Sequence, residues 1–120
     1  MVHTLKSYAK LNLYLKVFLP RPNGLHPIRS LFQTISLHDT LTIKKTDSNI
    51  LKIRSNNHAL ERDNLLYDIY NAYKDDIPFG MELNLNKRIP LGGGLGGGSS
   101  NAACFLSYLN KEHLYYSNLN

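Results

Sequence analysis

One cysteine in 120 residues, Cys104, excludes an intrachain disulfide and suits a reducing compartment. No apolar run approaches the roughly 20 residues of a membrane-spanning helix. Met1 leads straight into strand-like sequence, where a secretory or transit segment would otherwise stand. A soluble, cytoplasmic protein is expected, with no membrane partner. Acidic side chains are few, 9 against 14 Lys and Arg, so the net charge of +5 favours anionic ligands. The basic residues form no block; Lys6, Lys16, Arg29, Lys45, Arg54 and Arg88 are scattered along the chain. Helix-turn-helix, zinc-ligand and RNA-binding aromatic spacings are all missing, so nucleic acid is not an expected partner. Repeats are missing too. At this length the chain is one domain at most, with a modest core.

What the chain does have is one extraordinary stretch, Ile89 to Ala103, reading IPLGGGLGGGSSNAA. Six of seven positions from Gly92 to Gly98 are glycine, interrupted by Leu95, and Ser99 and Ser100 follow. Glycine loses the most backbone entropy on folding, so such a run is costly unless the backbone must approach something closely. Ahead of a helix, where unpaired N–H groups and the dipole combine, that partner is typically phosphate. A flexible linker shares the composition, but linkers are not embedded between a strand and a helix.

Around this stretch the pattern is mixed. Tyr8 to Val17 alternates, with Ala9, Leu11, Leu13, Leu15 and Val17 on one face and Lys10, Asn12, Tyr14 and Lys16 on the other. On pattern alone Lys10 is an ordinary solvated strand residue. Pro20 to Gly24 is a turn, and His26 beyond it is either a ligand contact or simply an exposed loop residue. Leu37, Leu41 and Ile43, then Leu51 and Ile53, mark two short strands. Asp63 or Asn64 caps a helix running to about Lys74, with a stripe of Leu65, Leu66, Ile69, Tyr70 and Tyr73. Met81, Leu83 and Leu85 form a strand that delivers Lys87, Arg88 and the glycines. Ala102, Ala103, Phe105, Leu106 and Leu109 mark the helix that follows, with Cys104 as a small core residue. The segment from Lys111 to Asn120 reads as a polar, tyrosine-rich tail.

Gly92, Gly94 and Gly97 satisfy G-x-G-x-x-G, but no acidic residue stands about twenty positions on to hold a ribose. Gly98 is followed by Ser99 with no lysine, which excludes a Walker A loop, and no V-A-I-K strand follows, which excludes a protein-kinase loop. A lysine-free, helix-opening phosphate loop remains.

PLGGGLGGGSSNAA at 90–103 closely resembles the phosphate-binding motif of the GHMP small-molecule kinases. Two further stretches resemble the branch that phosphorylates a cytidyl diphosphate of methylerythritol. They are Ala9-Lys10-Leu11-Asn12-Leu13, and Arg21-Pro22-Asn23-Gly24-Leu25-His26 followed by Leu31-Phe32-Gln33. The resemblance implies an α+β GHMP kinase N-terminal domain over residues 1–120, with helices on one face of a mixed or antiparallel sheet. It also implies transfer of the ATP γ-phosphoryl group to a methylerythritol hydroxyl, with Mg²⁺. Pro90, Leu91, Gly92, Gly93, Gly94, Leu95, Gly96, Gly97, Gly98, Ser99 and Ser100 would cradle the triphosphate, Ser99 or Ser100 standing near the metal. Asn64, Leu65 and Lys87 would border adenine or ribose. Lys10 would lie at the reacting hydroxyl, Asn12 would contact substrate, and Leu25 and His26 would sit at the cytosine.

Two departures accompany the resemblance. Leu25 stands where the family has a tyrosine that stacks on cytosine. The family's catalytic aspartate, in a Gly-Ala-Asp-Val-Pro segment, has no counterpart here, and none of Asp39, Asp63, Asp68, Asp75 or Asp76 fits that motif. The chain is therefore expected to be a truncated N-terminal part, inactive alone. Alternatives are a non-catalytic nucleotide-binding chain and a GHMP kinase for another small alcohol. An incomplete helical cover is expected to expose Phe105, Leu106, Leu109 and the Tyr67–Tyr73 stripe, and so to promote self-association.

Overall fold

A computed structural model describes residues 2–91 and 97–117. Its strands are β1 (Val2–Val17), β2 (Ile28–Thr46), β3 (Leu51–Ser55) and β4 (Gly80–Asn86). A 3₁₀ turn (His58–Glu61) and helix α1 (Leu65–Tyr73) lie between β3 and β4, and helix α2 (Gly97–Ser117) follows the glycine segment. The sheet order is β1-β2-β4-β3. β1–β2 and β2–β4 are antiparallel and β3–β4 parallel, so α1 belongs to the crossover that parallel neighbours require.

Alternation builds the core. Leu41 and Ile43 on β2 stand opposite Leu85 and Leu83 on β4, and Ile53 and Leu51 on β3 oppose Leu83 and Met81. This face is covered by Leu66 and Tyr70 of α1 and by Phe105, Tyr108 and Leu109 of α2, giving one contiguous buried cluster. The intervening Lys52, Arg54, Glu82 and Asn84 face outward. Helices on one face of a mixed sheet are what the resemblance implied. Tyr70 Oη donates to the Phe79 carbonyl at 3.1 Å and Tyr73 Oη to Asn110 Oδ1 at 3.1 Å, pinning α1 to the sheet end and to α2.

Several boundaries differ from the sequence expectations. No glycine, proline or asparagine interrupts residues 28–46, and β2 runs through as one strand rather than beginning near Leu37. β1 starts at Val2, so the strand-like sequence after Met1 and the alternating stretch from Tyr8 to Val17 are one strand. The segment from Lys111 is no loose tail, since α2 continues to Ser117 and Glu112 forms an ion pair with Lys45 of β2 at 2.9 Å. This longer helix gives Phe105 and Leu109 complete cover, so the expected apolar patch there is absent. Tyr70 is buried as well, and Tyr67 and Tyr73 are half-buried. Of the α2 members of that patch only Leu106, 42% exposed, lies open, because it points away from the 101/105/108/109 stripe.

β4 pairs with Thr40–Thr46 alone, so the remainder of β2 and the matching part of β1 form a two-stranded arm. Register shifts between Tyr8 and Lys10 and between Asn12 and Tyr14 reset the alternation. Ala9 is therefore buried as expected, whereas Leu11 and Val17, expected inside, are exposed. Exposed apolar side chains at the arm's end include Val17, Leu19, Leu25 and Ile28, and others are spread over the rest of the surface.

Candidate active site

Asn64 caps α1: its extended backbone lets Oδ1 accept from the Leu66 N–H at 3.1 Å, while Nδ2 donates to the Leu60 carbonyl at 3.2 Å. Lys87, just past β4, exchanges two hydrogen bonds with the Asn56 amide, at 2.7 and 2.9 Å. Its ammonium sits 2.6 Å from Asp39 Oδ2, with only 6% of the side chain exposed. These fixed residues frame a cleft of about 390 Å³ that also includes Leu65, Leu91, Gly98 and Ser99. Six of the expected residues, three from the adenine border and three from the cradle, thus share one cavity. With both side chains already engaged, Asn64 and Lys87 would shape this cleft through position and backbone.

A second, more open cleft of about 460 Å³ lies on the other side of the start of α2. Lys10 and Thr34, paired across the arm's base, line it with Ser7, Ser99 and Ser100. Ser99 borders both cavities and is exposed, and the first N–H groups of α2 have no partner four residues back within the helix. Ser100 is committed differently. Its hydroxyl proton goes to the Tyr8 carbonyl at 2.7 Å and its oxygen accepts from Ser7 Oγ at 2.9 Å. Of the two candidate serines, Ser99 is therefore the one whose hydroxyl can turn toward a ligand.

The other expected residues fall elsewhere. Pro90 and Leu91 are exposed at the entrance to the glycine segment. Gly92, Gly93, Gly94, Leu95 and Gly96 lie outside the described residues, and Gly97 opens α2. Asn12 is on β1 in the arm, where its backbone pairs with Phe32. Leu25 and His26 stand in the turn at the arm's far end, away from both clefts. Gly24 there has φ +82°, the left-handed region that glycine accepts without strain. His26 Nδ1 lies 3.1 Å from the Phe18 carbonyl. A carbonyl only accepts, so Nδ1 carries the proton and Nε2 is left as an acceptor.

The residues that sequence reasoning missed are Ser7, Asp39 and Asn101. Asp39 is fully buried, accepting from the Arg88 N–H at 2.6 Å, the Ile89 N–H at 2.9 Å, Lys87 Nζ and Asn101 Nδ2 at 3.0 Å. Burial alone would push its carboxyl up; the donors from Ile89, Lys87, Arg88 and Asn101 outweigh that and hold it below the ordinary carboxylate range. A signal was available. Asp39 shares the inward phase of Leu37, Leu41 and Ile43, and Asn101 shares the helical face of Phe105 and Tyr108. Polar residues on buried stripes mark places where a network must form.

The family model for the GHMP kinases N terminal domain matches residues 64–120. Curated relatives include the 4-diphosphocytidyl-2-C-methyl-D-erythritol kinase of Thermotoga maritima, 49% identical over 109 residues, covering 89% of this chain and 40% of the relative. The enzyme of that name from Lachnoclostridium phytofermentans is 45% identical over 112 residues, covering 90% of this chain and 38% of the relative. The chain thus spans about two fifths of the length of the curated relatives it matches. A crystal structure of 4-(cytidine 5'-diphospho)-2C-methyl-D-erythritol kinase superposes with a TM-score of 0.77 at 37% identity, covering 91% of this chain and 40% of that one. The chain carries the fold of the GHMP kinase N-terminal domain and resembles the N-terminal part of the 4-diphosphocytidyl-2-C-methyl-D-erythritol kinases.

Proposed function

We propose that this chain is the nucleotide-binding front part of a GHMP-type kinase that transfers the ATP γ-phosphoryl group to a hydroxyl of a cytidyl-diphosphate methylerythritol, in the cytoplasm. The observation that carries the reading is the meeting of two clefts at Ser99, one framed by Asn64, Leu65 and Lys87 and the other by Lys10. A nucleotide base in the first cleft would point its phosphates at the start of α2, where N–H groups and dipole favour anions. The alcohol would approach from the second, beside the Lys10 ammonium.

Phosphoryl transfer of this kind depends on positioning and charge stabilisation more than on covalent chemistry. Lys10 would stabilise charge on the transferring group and on the deprotonating hydroxyl. Among the described residues no group of three or more His, Cys, Asp or Glu could hold a metal ion. Ser99 offers one exposed hydroxyl, which fits Mg²⁺ arriving with the nucleotide, since that ion keeps several waters and binds chiefly through phosphates. Bound there, the ion supplies neutralisation of phosphate charge. At the arm's end, His26 Nε2 is an acceptor suited to an exocyclic amine such as that of cytosine, while Leu25, 67% exposed, offers apolar contact without aromatic stacking. Within this reading residues 1–120 are one incomplete domain, and the catalytic aspartate is supplied from outside them. Self-association, where it occurs, would run through the apolar tip of the arm.

The test is transfer of label from γ-labelled ATP by the protein expressed from its complete coding sequence, offered the cytidyl diphosphate or simple alcohols. Transfer to the cytidyl compound, lost in Lys10→Met, is the expected result. ATP binding without transfer to any alcohol would favour the non-catalytic alternative, and preference for a simple alcohol would move the specificity elsewhere in the family.

A further inference from the structure

The glycine segment is entered through Lys87–Ile89 and left through the first turn of α2, and one side chain grips both flanks. Asp39 Oδ1 accepts from the consecutive N–H groups of Arg88 and Ile89, at 2.6 and 2.9 Å. Oδ2 accepts from Lys87 Nζ at 2.6 Å and from Asn101 Nδ2 at 3.0 Å. Four donors fill the four acceptor sites of the carboxylate. Asn101 Nδ2 also donates to Ser7 Oγ at 2.8 Å, Ser7 to Ser100 Oγ at 2.9 Å, and Ser100 to the Tyr8 carbonyl at 2.7 Å. The Ser7 and Ser100 hydroxyl protons each have one acceptor, so this relay has a single direction.

Stability alone does not account for it. A leucine at position 39 would continue the inward stripe of β2, and buried ion pairs are often no more stabilising than apolar replacements. An apolar side chain could not hold two successive N–H groups at the entrance of the glycine segment while fixing a helix at its exit. We propose that Asp39 is a positioning residue that holds Lys87–Ile89 and the start of α2 in a fixed relation at the nucleotide cleft. This rests on the nucleotide reading above. Asp39 itself, fully buried, does not touch the ligand.

Two measurements on the protein expressed from its complete coding sequence test this. The first is amide hydrogen exchange in Asp39→Asn and in Ser7→Ala, a milder variant that leaves the Asp39–Lys87 pair intact. Gly80→Ala, destabilised outside the network, is the control. In Asp39→Asn the amides of 88–89 and 98–101 should accelerate at least about tenfold more than those of 51–55 and 81–85, which report the global loss of stability. In Ser7→Ala only 98–101 should loosen. The second is steady-state kinetics, where Asp39→Asn should raise KM for Mg-ATP about tenfold while KM for the alcohol stays within about twofold.

Uniform loosening like that of Gly80→Ala, or equal rises in both KM values, would overturn the proposal. Failure of the unsubstituted protein to bind Mg-ATP would sink the nucleotide reading, and the exchange pattern would still decide whether Asp39 clamps the flanks.

Discussion

Removing the charge of Asp39 should be among the most damaging single substitutions in this protein. Its carboxylate is fully buried and the facing Lys87 side chain is 6% exposed, so in Asp39→Asn the ammonium keeps its burial and loses its counter-charge. Breaking one side of such a pair costs about 3–5 kcal/mol. A chain of this size holds on the order of 6–18 kcal/mol of stability, so the loss is a large fraction of the total. Urea unfolding is the assay. With a slope of about 1.5 kcal/mol/M, the midpoint should fall by roughly 2–3 M with the slope unchanged. Asp39→Asn/Lys87→Met removes both charges, leaves an amide oxygen for Arg88 and Ile89, and should recover most of the loss. A single variant within about 1 kcal/mol of the parent, or a double variant showing the sum of the two single losses, would refute the picture of an interdependent pair.

Acid should act through the same carboxylate. Its folded pKa is depressed, so the stability it contributes is present above the unfolded value near 3.8 and is lost as pH falls through the lower folded value; a pH series of melts should show this loss in the parent and not in Asp39→Asn. Gly80→Ala should cost about 1–3 kcal/mol in a thermal or urea melt, since its Cβ would meet Ser48 Oγ at 2.1 Å and the Ile50 carbonyl at 2.7 Å. Burial pushes the Cys104 thiol up and its Sγ faces the Lys6 carbonyl, so alkylation at neutral pH should be slow and should accelerate on unfolding. Fast labelling of the folded protein would contradict that placement.

Period-two and helical patterns located β3, α1, β4 and the start of α2 well, because there an apolar stripe meets one covered face. The same rule misjudged the arm. Alternation from Tyr8 to Val17 looks regular, yet register shifts at Ala9 and Leu13, and a pairing limited to two strands among the described residues, put Leu11 and Val17 in solvent. Strand partnership is a tertiary property that local spacing does not encode. At the candidate site, the glycines and serines stand out by composition, whereas the only sequence mark of Asp39 is its place on the inward stripe of β2. Only the fold shows that Lys87, Arg88, Ile89 and Asn101 converge on it. The choice between Ser99 and Ser100 likewise depended on where a hydroxyl proton goes, which needs the Tyr8 carbonyl in place.

The contacts of Asp39 and Asn101 join residues 48, 62 and 94 positions apart in the chain. Contacts of such separation form late, after loop-closure entropy has been met by nearer pairings. During synthesis β1 and β2 can pair while Asp39 is still hydrated, because Asn101 emerges some sixty residues after it. The sheet is then left with a polar notch at Asp39 until Lys87–Ile89 and then α2 arrive. That notch discourages other apolar segments from settling on the unfinished sheet, since none of them brings donors for a carboxylate. The residue that holds these flanks thus also reserves the places of the 87–89 segment and of α2 on the growing chain.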